Sequence, residues 1–91
     1  MFFLVSYDIR DTKRLHKVAK LMERYGTRVQ LSVFECHLSD KQFQQLQLFI
    51  NKLINQEKDS VRFYRLCESC YKNITLLGLG SVSQEDFYFI A

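Results

Sequence analysis

Arg28-Val29-Gln30-Leu31-Ser32-Val33-Phe34-Glu35-Cys36-His37-Leu38 is the stretch on which the fold turns. Val29, Leu31 and Val33 alternate with Arg28, Gln30 and Ser32, the period of an extended strand. A strand ordinarily runs about 5 to 6 residues, so this run is either one long strand or two short ones. It contains no glycine, asparagine or proline to mark a turn, and propensity therefore favours one strand, with a kink as the alternative.

Upstream, residues 2–7 are apolar on both alternating faces, the pattern of a central strand covered above and below. That strand runs into a single carboxylate at Asp8. Burying an acid is costly unless it binds something, so Asp8 reads as either a helix-capping residue or a metal ligand. Asp11-Thr12 offers an N-cap oxygen, and Leu15, Val18, Ala19 and Met22 recur at helical spacing until Gly26 supplies a stop. The first helix is expected over about residues 12–25.

Downstream, Ser39-x-x-Gln42 is a capping-box pattern, and Phe43, Leu46, Ile50 and Leu53 line one side of the helix it opens, ending near Asn55. A polar loop, residues 56–60, leads into a strand at 61–66, with further strand candidates at 74–77 and 87–90. Two helices on a sheet make an α+β sandwich with one face covered. A strand apolar on both sides and the tail Phe87-Tyr88-Phe89-Ile90 imply a second copy over the open face, in a two-fold homodimer. The alternative is that the C-terminal strand folds back over its own chain.

The chain has 91 residues, 47% hydrophobic and 25% charged, which fits one domain over 1–91. A net charge of only +3 means that a nucleic-acid reading must rest on where the charges lie. No run reaches the roughly 18 apolar residues of a membrane span, and residues 1–5 lack the basic start and cleavage site of a signal peptide. No membrane association and a cytoplasmic location are expected. The odd cysteine count, Cys36, Cys67 and Cys70, suits free thiols in a reducing compartment.

Several groups invite chemistry. Lys13, Lys17, Lys20 and Arg24 fall at i, i+4, i+7 and i+11, one stripe opposite the apolar face of the first helix, flanked by Arg10 and Arg14 and followed by Arg28. Such a stripe is either a solvated face or a track for phosphates. One Asp8 is a poor magnesium site, but a two-fold pair would present two carboxylates to one hydrated ion. The plain alternative is that Asp8 caps the helix or pairs with Arg10 or Lys13. His16 and His37 lack paired spacing and carry no role. Cys67-x-x-Cys70 is half of a zinc motif or a redox pair, against the plain reading of two thiols in a tight loop. Tyr7, Phe34, Tyr64, Tyr71 and Tyr88 could stack on bases, but without a ribonucleoprotein-type aromatic motif they read as core or interface residues.

Tyr7-Asp8-Ile9-x-Asp11, Lys13-Arg14-Leu15-x-Lys17-Val18, Tyr25-Gly26-x-Arg28-Val29-Gln30-x-Ser32-Val33-Phe34-Glu35 and Tyr64-x-Leu66-Cys67 together resemble the second core CRISPR-associated protein family. Its members are the small dimeric partners of the CRISPR spacer integrase, also known as CRISPR-associated endoribonucleases. The resemblance implies a ferredoxin-like βαββαβ fold with an additional C-terminal strand, and hence two short strands around Leu31-Ser32. It implies that the tail, residues 81–91, pairs with the other subunit. For function it implies a DNA-binding scaffold for the integrase during spacer acquisition in antiviral defence, with a magnesium- (or manganese-) dependent endonuclease acting on RNA or DNA. Asp8 carries over as the metal-binding acid, and Tyr7, Arg28 and Phe34 match positions tied to the nuclease site. The phosphate-binding set is then Arg10, Lys13, Arg14, Lys17, Lys20, Arg24 and Arg28. Partners would be the integrase subunit, duplex DNA and single-stranded RNA. A toxin-like ribonuclease or a small-molecule regulator on the same fold is the competing reading.

Overall fold

A computed structural model of the chain describes residues 1–73, 75 and 77. Strand β1 (Phe2–Asp8) is followed by helix α1 (Thr12–Glu23), strands β2 (Gly26–Gln30) and β3 (Val33–His37), helix α2 (Asp40–Leu53), strand β4 (Ser60–Leu66) and the short helix α3 (Glu68–Lys72). The strands form one sheet in the order β2-β3-β1-β4, with every pairing antiparallel. This is the βαββαβ topology of a ferredoxin-like sandwich, with β1 central as its apolar pattern requires. Of the expected strand at 74–77, residues 74 and 76 lie outside the described residues, as do the whole of the strand at 87–90 and of the tail 81–91.

The long run is a hairpin. β2 and β3 turn at Leu31-Ser32, where Leu31 projects with 79% of its surface exposed. The expectation of a single strand from propensity fails because tertiary bonds hold a turn that the turn residues do not signal. The Tyr7 backbone N–H donates to the Ser32 carbonyl at 3.1 Å, and the Tyr7 hydroxyl donates to the Leu31 carbonyl at 3.4 Å. The β2–β3 register also jumps from Arg28↔Phe34 to Gln30↔Val33, leaving Val29 as the extra residue of a bulge. The alternation of Val29 with Leu31 is thereby broken, with Val29 buried and Leu31 in solvent.

Both helix starts follow the sequence. The Asp11 carboxylate accepts from the Arg14 N–H, and Ser39 and Gln42 make the reciprocal capping box. The end of α1 does not depend on Gly26: the helix stops at Glu23 with Arg24 as its cap, and Gly26 opens β2. Its glycine is required by close approach, since a Cβ there would run into the Glu35 carbonyl and stand 2.5 Å from Cys36 Sγ.

The core lies between the helices and the sheet. Phe3, Val5 and Tyr7 of β1 and Phe34 and Cys36 of β3 meet Val18, Ala19 and Met22 of α1 and Leu46 and Ile50 of α2. Phe43 bridges the layers, stacked on Phe3 at 4.3 Å and edge-on to Phe63 at 5.3 Å. Strand alternation turns Leu4, Ser6 and Asp8 of β1, Val33 and Glu35 of β3, and Arg62 and Tyr64 of β4 to the opposite face. Among the described residues, α3 closes one corner of that face, where Tyr71 packs on Phe2 (4.2 Å) and His37 (5.3 Å).

Candidate nucleic-acid interface and carboxylate site

β1 delivers Asp8 to the end of the central strand, where its carboxylate is exposed. The helix cap is Asp11 instead, and among the described residues no ion pair or hydrogen bond engages the Asp8 side chain. An acid left unpaired beside cationic side chains is available for an external cation or phosphate-bound metal. Asp8 lines two clefts. One, of about 370 Å³, lies between α1 and the β2–β3 turn and is bordered by Tyr7, His16, Arg28 and Ser32. The other, of about 620 Å³, is bordered by Arg10, Asp11, Arg14, Lys58 and Asp59.

Tyr7, Arg28 and Phe34 do come together. The Arg28 guanidinium lies over the Phe34 ring, 5.3 Å from its centroid, and the Tyr7 and Phe34 rings are stacked 6.2 Å apart. Phe34 has no exposed surface and Tyr7 only 4%, so in this fold both are wall residues that support Arg28. Burial raises the Tyr7 hydroxyl pKa, an effect the adjacent Arg28 charge partly offsets. Arg28 keeps 34% of its side chain exposed and approaches Glu23 at 4.0 Å, while its buried Nε has no hydrogen-bond partner.

The cations of α1 divide into two groups. Lys13, Lys17, Lys20 and Arg24 are exposed, and no ion pair among the described residues engages them. Arg14 is different. It grips Asp59 through two hydrogen bonds, Nε to Oδ2 at 2.7 Å and Nη2 to Oδ1 at 3.2 Å, and Asp59 leaves 1% of its side chain to solvent. The Asp59 carboxylate also accepts from the Asn55 N–H at 2.8 Å, and these bonds hold its pKa below the usual carboxylate range. Arg14 thus ties α1 to the loop before β4, with its donors largely committed. Arg10 is exposed at the cleft rim.

Two participants escape the sequence reading. Lys58, beside Asp8 and Arg10, and Asp59, the counter-ion of Arg14, sit in what reads as a plain polar loop. The Asn55 side chain accepts from the Glu57 and Lys58 N–H groups and so orders that loop. An asparagine four residues before an aspartate signals the turn, but nothing in the sequence links it to Arg14. Among the described residues, no three histidine, cysteine, aspartate or glutamate side chains gather where they could hold a metal ion. No helix there is long and apolar enough to cross a membrane.

Residues 1–74 match the family model described as CRISPR associated protein Cas2. The chain is similar to the CRISPR-associated endoribonuclease Cas2 1 of Chloroflexus aurantiacus, 46% identical over 99% of this chain and 100% of that one. It is similar to the CRISPR-associated endonuclease Cas2 of Halalkalibacterium halodurans, 42% identical over 94% of this chain and 96% of that one. Among solved structures, Streptococcus pyogenes Cas2 at pH 6.5 superposes with a TM-score of 0.78 at 38% identity, covering 86% of this chain and 100% of that chain. A chain of a partial Cas6-RT-Cas1–Cas2 complex superposes with a TM-score of 0.74 at 32% identity, covering 84% of this chain and 89% of that chain. With the fold in agreement with these matches, the chain belongs to the CRISPR-associated Cas2 family.

Proposed function

We propose that the protein is a cytoplasmic CRISPR adaptation factor: a homodimer that holds duplex DNA for its integrase partner during spacer capture. The observation that carries this reading is the division of the α1 cations. Lys13, Lys17, Lys20 and Arg24 stand exposed along one helix while Arg14 is spent on Asp59. Four cations spaced along three turns match a run of phosphates, and two copies would double the track. Arg10 and Lys58 extend it around the Asp8 cleft. The likeness to a chain of a Cas1–Cas2 complex supports an integrase as partner. The apolar residues Leu4, Val33 and Tyr64 on the sheet face away from α1 and α2 support pairing of two copies.

The test is duplex binding over graded salt. Reversal of Lys13, Lys17, Lys20 and Arg24 to Glu is expected to abolish binding, with intermediate variants lowering the salt slope by roughly one per lost phosphate contact. Binding that survives full reversal refutes the scaffold.

A second reading is favoured by the unpaired Asp8 carboxylate: metal-dependent phosphodiester cleavage, consistent with relatives named endoribonuclease and endonuclease. Asp8 alone from each chain fits a magnesium or manganese ion only in part, because such ions take one or two carboxylates plus water and phosphate oxygens. Asp8 of each copy would hold it. The bound ion would polarise the phosphodiester and activate water. Around it, Arg10 and Lys58 would neutralise substrate phosphates, and Arg28, seated on Phe34 and beside Tyr7, would orient them. Cleavage of RNA or DNA that persists undiminished in chelator rules this reading out.

A further inference from the structure

We propose that Cys67 and Cys70 form a redox-active dithiol that closes to an intramolecular disulfide by exchange with low-molecular-weight disulfides. Both thiols are free and exposed, on the first turn of α3. Cys67 is the N-cap and Cys70 the N3 residue, the two positions whose side chain and backbone meet in a cap. The Cys70 N–H accordingly donates to Cys67 Sγ at 3.4 Å. Residues three apart on a turn of about 5.4 Å pitch fall within the roughly 4.4–6.8 Å Cα separation that a disulfide accepts. The spacing is thus one that a disulfide can span.

The two sulfurs are chemically unequal. The N–H bond from Cys70 favours the Cys67 thiolate and lowers its pKa, whereas the neighbouring Cys67 sulfur raises that of Cys70. Cys67 is the attacking group and Cys70 the resolving one. The Cys67 thiolate attacks one sulfur of a small disulfide RSSR, breaking the S–S bond and releasing RS⁻. Cys70 then loses its proton to water, and its thiolate attacks the Cys67 sulfur and expels the second RS⁻. The protein is oxidised by two electrons and RSSR is reduced to two thiols. Cys36 stays out of this chemistry, being fully buried with its pKa pushed up to about 11.

The experiment incubates the full-length protein with glutathione disulfide at pH 7 and maps the products by mass. Wild type is expected to lose two hydrogens, with the 67–70 peptide linked and Cys36 unmodified. Cys70→Ser should accumulate a stable glutathione adduct on Cys67, and Cys67→Ser, which keeps a capping oxygen, should react more than about tenfold more slowly at Cys70. Adducts on wild type that never resolve to the linked form, or equal reactivity of the two single variants, overturn the proposal.

Discussion

Asp8 and Asp59 border the same cleft and are held in opposite ways. The Asp8 carboxylate is exposed and unpaired among the described residues, so Asp8→Asn should change stability by less than about 0.5 kcal/mol in urea unfolding. The same variant should lose all metal-dependent cleavage. Asp59 is buried against Arg14 with its pKa held low. Its folded pKa lies below the unfolded value of about 3.9, so the stability it contributes is complete above that pH and disappears as pH falls through the folded value. Asp59→Asn should lower the urea midpoint at pH 7, and the deficit relative to wild type should shrink as pH falls below about 4. Equal deficits at pH 7 and pH 3 would refute the ion pair. The Asp8 position was legible in the sequence because a strand pattern ends on it. Asp59 was not, because its partner Arg14 lies 45 residues away and only folding joins them.

The elements divide by how locally they are determined. The helices were legible from caps and apolar spacing, since those signals act within a few residues. The hairpin was not legible from propensity: no turn residue marks Leu31-Ser32, and the bonds from Tyr7 that hold the turn come from a distant strand. Gly26 misled in a similar way, being set by the Glu35 carbonyl and Cys36 rather than by a helix end. Gly26→Ala should therefore destabilise by about 1–3 kcal/mol, because backbone must move to admit the methyl group. A circular-dichroism melt that matches wild type would contradict this. Phe34→Ala, which empties a fully buried site under Arg28, should cost about 3–5 kcal/mol in the same assay.

At the scale of the molecule, one chain supplies a short cationic ridge and, at the end of its central strand, the unpaired acid Asp8, and the proposed functions need two copies of each. Pairing would cover Leu4, Val33 and Tyr64 and enclose Glu35, whose pKa is already raised by burial, with His37 partly opposing. The sequence carried this inference through the two apolar faces of β1 and the sheet face that two helices leave open. Sedimentation equilibrium of the full chain, at micromolar to millimolar protein, tests the pairing most directly. The expected result is a particle of twice the 10.9 kDa chain mass across that range. A single-chain mass at the highest concentration would contradict it.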